Sequence, residues 1–202
     1  MRFAAFLIAP VLAGIITPAV ARPLDNLAIT EAAASLAPNR FLWHDTEDGG
    51  PVSVLISIPD QRAYVFRGER LIGAATVSTG TDEKPTPIGS FTILQKKADH
   101  RSNLYDDAPM PYMQRLTWDG VALHAGRNPG FPASHGCIRL PTAFAKKLFA
   151  VTELGATVEV TDMAYVAGVD LPESDASAVA EANRIAAHEP SLAEVDRALA
   201  AR

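Results

Sequence analysis

Apolar and polar positions alternate in short runs through the middle of the chain, and turn residues separate the runs. Val52 to Ile58 is β-branched, follows Gly49-Gly50-Pro51, and predicts a strand. Pro59-Asp60-Gln61-Arg62 turns the chain into a hairpin partner, Ala63 to Phe66, and Arg67-Gly68-Glu69-Arg70 turns it again into Leu71 to Ser78. A long loop follows, Thr81 to Pro87, stiffened by Pro85 and Pro87. Four more strands are predicted: Ser90 to Gln95, Tyr112 to Trp118, Val121 to His124 and Thr157 to Thr161. Helical signals are fewer. Thr30 as N-cap and Pro38 as stop predict a short helix over Thr30 to Ala37, and Pro141 can sit in the first turn of another that reaches about Val151. Past Met163 the chain turns rich in alanine and acidic residues, and Ser174 to His188 and Ser191 to Ala201 predict two helices broken at Pro190. The expected fold is therefore mainly β, a sandwich or barrel over residues 51–162 with one short helix near its end. A segment over 22–50 precedes it and a helical extension over 163–202 follows.

The first 21 residues break this texture. Arg2 precedes an uncharged apolar run from Phe3 to Ile16, and Ala19-Val20-Ala21 supplies an A-x-A cleavage site. The run carries Pro10 and Gly14 and is shorter than the roughly 20 residues that span a bilayer. An export signal is expected, with the mature chain starting at Arg22 and working in the periplasm or cell envelope; an uncleaved anchor is the alternative. Composition adds an exclusion. A net charge of −5, with no basic stripe interleaved with aromatics, argues against nucleic acid as a partner. Yet Lys96, Lys97, Arg101, Arg115, Arg127 and Arg139 all fall in one stretch, which would suit a small anionic substrate.

That stretch also holds the candidate chemistry. Cys137 is the only cysteine among 202 residues and lies in Ser134-His135-Gly136-Cys137-Ile138-Arg139. A chain sent to an oxidising compartment normally pairs its cysteines or lacks them, so a lone thiol there points to a nucleophile, with an inert buried thiol or an intermolecular bridge as the alternatives. Its base must be a histidine. His135 is two residues away and would share a face with Cys137 in extended backbone, though not in a sharp turn. His124 arrives from a different strand, free to approach across the site, and is the preferred base. Gly136 leaves the backbone open, so its N–H and that of Cys137 are candidate oxyanion donors. Arg139 can hold a substrate carboxylate or clamp nearby carbonyls. Zinc on Cys137, His135 and His124 would lack a fourth ligand of convincing spacing.

Ser134 to Arg139, preceded by Leu123-His124-Ala125-Gly126, resembles the active-site signature of the YkuD-type L,D-transpeptidases. Ser78-Thr79-Gly80, Thr86-Pro87-Ile88-Gly89-Ser90-Phe91 and Tyr112 to Gly120 also look like stretches of that domain. The resemblance implies a mainly β catalytic domain acting on peptidoglycan tetrapeptide stems. Cys137 would attack the carbonyl before the terminal D-alanine and form a thioester, which an amine would resolve as a 3→3 cross-link, an attached lipoprotein or an exchanged D-amino acid. His124 would be the base, the backbone carbonyl of Ala125 would orient it, and Ser134 and His135 would shape the site. Tyr112 and Met113 would lie near the substrate cleft. No metal or organic cofactor is implied, and carbapenems are expected to acylate Cys137. Departures are visible: nine residues separate His124 from Ser134, shorter than in many members, and Arg139 stands where other branches carry asparagine. Two rivals remain open, a carboxypeptidase or amidase that resolves the thioester with water, and a non-catalytic envelope-binding protein.

Overall fold

The computed structural model describes residues 22–45, 50–103 and 105–167; the expected signal over 1–21 and the helices expected at 174–188 and 191–201 lie outside the described residues. The described chain is mainly β, as its patterning predicts. Helix α1 (Arg22–Ala34) comes first, then strands β1 (Phe41–Trp43), β2 (Val52–Ser57), β3 (Arg62–Arg67), β4 (Arg70–Thr76), β5 (Gly89–Thr92), β6 (Gln95–Lys97), β7 (Met113–Arg115), β8 (Ala122–Ala125) and β9 (Ile138–Leu140), helix α2 (Thr142–Val151) and β10 (Thr157–Thr161). The strands form a six-stranded sheet in the order β1-β4-β3-β2-β10-β5 and a four-stranded sheet in the order β6-β7-β8-β9.

The large sheet is the scaffold, because its central strands bury side chains on both faces. On β2, Val54 and Ile56 join the main core while Leu55 between them joins a second cluster on the opposite face. The main core sits between the sheets: Val65, Ile72, Val158 and Val160 meet Leu123, Ile138 and Leu140 of the small sheet and Phe144, Ala145 and Leu148 of α2. Phe144 is fully buried, with its ring edge-on to Trp43 at 5.5 Å between centroids. The outer cluster is covered by Ala33 of α1 and by Tyr165, whose ring lies 4.5 Å from that of Tyr64.

Three expectations need correction. The first helix runs Arg22–Ala34, not Thr30 to Ala37. Thr30 does not cap it; its Oγ1 donates to the Asn26 carbonyl one turn back, inside the helix. Docking selects this helix: the Asn26 side chain donates to Glu69 O and accepts from Leu71 N, fixing α1 on the β3–β4 hairpin. Second, Ser90 to Gln95 is not one strand. The chain crosses between sheets at Ile93, whose N–H and C=O bond Ala156 O and Gly155 N, so β5 pairs with β10 and β6 with β7. A two-residue period shows that a segment is extended, but not to which sheet each half belongs. Third, β1 and β9 are strands the patterning did not predict; β9 begins with the last two residues of the cysteine motif, Ile138 and Arg139.

Candidate active site

Register in the small sheet builds the site. β8 and β9 run parallel, with Leu123 opposite Ile138 and His124 opposite Arg139. Leu123 and Ile138 enter the core, so His124 and Arg139 share the other face of the sheet. Cys137, two residues before Arg139, falls on that face as well. A cavity of about 410 Å³ opens there, lined by His124, Ser134, His135, Cys137 and Arg139 together with Tyr105 and Met110 of the 98–111 loop. Cys137 is thus brought to a cavity it shares with both histidines.

His124 is 7% exposed, and its Nδ1 lies 2.9 Å from the carbonyl oxygen of Ala125. That contact requires the proton on Nδ1 and leaves Nε2 as the basic atom. Burial pushes the imidazole down to about 4, opposed by the bond to Ala125 O and assisted by the charges of Arg139 and His100. The Cys137 Sγ lies 3.4 Å from Gly120 O. Burial pushes its thiol up, and the Ala122 N–H, Arg139 and Arg115 pull partly back. Both shifts favour a neutral thiol beside a neutral imidazole. The ion pair that would raise the thiolate fraction at rest is therefore not what this environment stabilises.

The turn carrying Cys137 is held from outside the motif. Gly136 has φ +106, a conformation that L side chains rarely adopt. Its carbonyl accepts from Thr86 Oγ1 at 2.9 Å, and that Thr86 hydroxyl in turn accepts from Gly80 N at 2.8 Å. A Cβ on Gly80 would lie 2.0 Å from Lys84 O, so only glycine fits there. Ser78 exchanges backbone bonds with Arg139 in both directions, and Thr79 O accepts from Ala133 N and Ser134 N. Gln61 locks Thr79 through both ends of its amide, and the buried Asn128 amide donates to Thr76 O at 2.6 Å. Sequence reasoning gave none of Gln61, Ser78, Gly80, Thr86 and Asn128 a role. The stretches Ser78-Thr79-Gly80 and Thr86-Pro87 were the available signal, and their work is to pin the cysteine turn.

The remaining candidates are placed unevenly. Ser134 Oγ donates to Cys137 O and accepts from Gly136 N at 3.1 Å, so the Gly136 N–H is already committed and is not a spare oxyanion donor. His135 is exposed and stacks on Tyr105, centroids 4.8 Å apart and planes 15° from parallel. Arg139 donates to Ala133 O at 3.1 Å, the clamp reading of its two. Met113 is fully buried with Met110 and Ala122 against Cys137. Tyr112, expected near the cleft, instead packs its ring on Phe149 of α2 and lines neither cavity at Cys137. Among the described residues, no three His, Cys, Asp or Glu side chains gather as metal ligands would.

Comparison with known proteins agrees with this fold. L,D-transpeptidase 1 of Mycobacterium tuberculosis is 30% identical over 130 residues, covering 56% of this chain and 52% of the relative. The chain thus spans about half the length of the curated relatives it matches. Among solved structures, an L,D-transpeptidase from Mycobacterium tuberculosis H37Rv is 25% identical with a TM-score of 0.53, covering 56% of this chain and 58% of that one. The L,D-transpeptidase LdtMt1 in complex with imipenem is 27% identical with a TM-score of 0.52, covering 56% and 60%. The model of the YkuD family, the L,D-transpeptidase catalytic domain, matches residues 51–160, which carry both sheets' central strands, the Cys137 turn and α2; the chain belongs to that family.

Proposed function

We propose that this chain is a cysteine-dependent L,D-transpeptidase that acts on peptidoglycan tetrapeptide stems in the cell envelope after export. One observation carries the reading: Cys137 and a neutral, Nδ1-anchored His124 line the same cavity. A neutral imidazole with Nε2 unprotonated can take the thiol proton as sulphur attacks, which is general-base chemistry with no ion pair at rest. The Sγ–C bond forms at the carbonyl before D-alanine, and the Cys137 N–H, nearest to the sulphur, stabilises the oxyanion. His124 then returns its proton to the departing amine of D-alanine as the C–N bond breaks. An incoming amine resolves the thioester by the same proton path, giving a 3→3 cross-link, an attached lipoprotein or an exchanged D-amino acid. Supporting the assignment are the family match over residues 51–160 and the relatives' name. The imipenem complex of LdtMt1 supports carbapenem acylation of Cys137 here.

The test is product analysis by mass after incubation with disaccharide-tetrapeptides. Dimers or exchange products with released D-alanine are expected from the wild type, and neither products nor a carbapenem adduct from Cys137→Ala. Free tripeptide alone would replace transfer with hydrolysis. A wild type that, like Cys137→Ala, yields neither products nor an adduct would leave a binding protein, and products from Cys137→Ala at the wild-type level would remove Cys137 as the nucleophile.

A further inference from the structure

Sheet register places a second charged group on the Cys137 face. β7 pairs antiparallel with β8, with Arg115 opposite Ala122. Carrying the β8–β9 register back one residue sets Ala122 beside Cys137. Arg115, Ala122 and Cys137 therefore form one cross-strand row, two strand spacings or about 10 Å from end to end. The middle residue is the smallest of the three, which leaves room above it. A small cavity of about 30 Å³ lies there, lined by Cys137, Ala122, Arg115 and His100, and His124 does not reach it. The two cavities that meet at the sulphur are thus unlike in size: one admits a peptide, the other a group little larger than a water.

Arg115 is built to receive an anion. Its Nε donates to Gln95 Oε1 at 3.1 Å, and its guanidinium lies over the Trp118 ring at 5.8 Å. Both partners are neutral; among the described residues no carboxylate lies within ion-pair distance of it. Neutral anchors fix the plane of the guanidinium without cancelling its charge. Arg139 lines the larger cavity and Arg115 the smaller, so both cavities at Cys137 carry a cation in a chain whose net charge is −5.

We propose that Arg115 reads the carboxylate of the amino acid that leaves, from the small cavity on its own side of Cys137. The inference rests on the transpeptidase reading above. With the scissile carbonyl at the sulphur and the acyl peptide in the larger cavity, the departing residue falls over Ala122. Its carboxylate, two bonds from the scissile nitrogen, then faces the guanidinium. The carboxylate keeps its charge throughout; only the Sγ–C and C–N bonds and the His124-borne proton change. Arg115 is a specificity residue here, selecting a free C-terminal acid and a small side chain.

The experiment compares two donors, a disaccharide-tetrapeptide ending in D-alanine and the same peptide ending in D-alaninamide. It uses the full chain as wild type, Arg115→Gln and Arg115→Lys. Wild type is expected to prefer the acid by about 10- to 100-fold in kcat/KM, the range of a charge-assisted hydrogen bond. Arg115→Gln should lose that factor on the acid alone, bringing the two donors level, and Arg115→Lys should keep part of it. Carbamidomethylation of Cys137 by neutral iodoacetamide should reach one adduct per chain in all three, slower in Arg115→Gln because the charge that favours the thiolate is gone, showing that the nucleophile is in place and accessible. Equal losses on both donors, or undiminished preference for the acid in Arg115→Gln, would overturn the assignment and leave the functional reading standing. Release of neither D-alanine nor D-alaninamide by wild type would remove the functional reading and this inference with it.

Discussion

The six-stranded and four-stranded sheets are built on different terms. In the large sheet β2 keeps six consecutive paired positions with β3 and four with β10, and its side chains are packed from both faces. In the small sheet β7, β8 and β9 contribute three, four and three residues, and one face is given over to Cys137, His124, Arg139 and Arg115. A sheet this short cannot hold a charged, partly hollow face by its own ladder. Its precision comes from residues outside it: the Thr86 hydroxyl on Gly136, the Ser78 backbone on Arg139 and its hydroxyl on Phe131, the Gln61 amide on Thr79. The large sheet supplies stability, and the small one spends it on geometry.

The widest separation between the two regions should appear in a pair of substitutions. His124→Gln removes the base and leaves the small sheet's backbone untouched, so turnover of tetrapeptide donors should fall by about 10²- to 10⁴-fold with Tm little changed. Ile56→Ala, at a fully buried position in the middle of β2, should do the reverse. It should cost about 2–5 kcal/mol of stability, seen as a lower denaturation midpoint, while the folded fraction keeps wild-type kcat. A His124→Gln enzyme that loses stability but not rate would mean that the two sheets do not divide the work in this way.

Acid should act on the small sheet through the same histidine. In the unfolded chain His124 titrates near 6.5, whereas burial holds the folded group near 4. Between those values the unfolded state binds the extra proton, so stability rises with pH. The contribution is fully present above about 6.5 and is lost as pH falls towards 4, to a total on the order of 3 kcal/mol. Chemical denaturation from pH 7.5 to 4 should show this slope in wild type and a flatter one in His124→Gln. The same depression keeps the base unprotonated through the weakly acid range, so the acid limb of kcat/KM should lie well below 6.5. A limb at 6.5 would show an imidazole that water reaches.

What the sequence disclosed follows the same division. Val52 to Ile58, Leu71 to Ser78 and Thr157 to Thr161 were legible as strands because a long β-branched run between turn residues has few other ways to bury itself. The proposed site was legible in Cys137 and His124, since a lone cysteine and a strand-end histidine are unusual whatever surrounds them, and the two do line one cavity. Its supports were not. Ile138-Arg139-Leu140 is three residues inside turn composition, and only pairing with β8 and a bridge to Ser78 make it a strand. Nothing in the order of residues says that Ser134 Oγ takes the Gly136 N–H, because that bond depends on a side-chain rotamer in a folded turn. Tyr112 failed for a similar reason. Its place came from resemblance, whereas its backbone at φ +56 and the ring of Phe149 send the side chain elsewhere.

The finest test of the comparison removes one oxygen. Thr86 is 4% exposed, and its hydroxyl accepts from Gly80 N and donates to Gly136 O, tying two glycine positions that only glycine can occupy. Thr86→Val keeps the shape and deletes both bonds, stranding one buried N–H and one buried carbonyl. Each loss costs about 1–3 kcal/mol when nothing replaces it, and a shift of the loop can recover part of that. The stability change should therefore be about 1–2 kcal/mol, well short of Ile56→Ala. The rate should respond more than that figure suggests, because Gly136 precedes the nucleophile and a displacement there is passed directly to Sγ. A fall of about tenfold in kcat with KM nearly unchanged is expected, since the large cavity's walls are otherwise intact. Thr86→Ser keeps the hydroxyl and should restore the rate even if it restores little stability. If Thr86→Val changed stability and rate only as an ordinary core substitution does, the small sheet would be holding its own geometry after all.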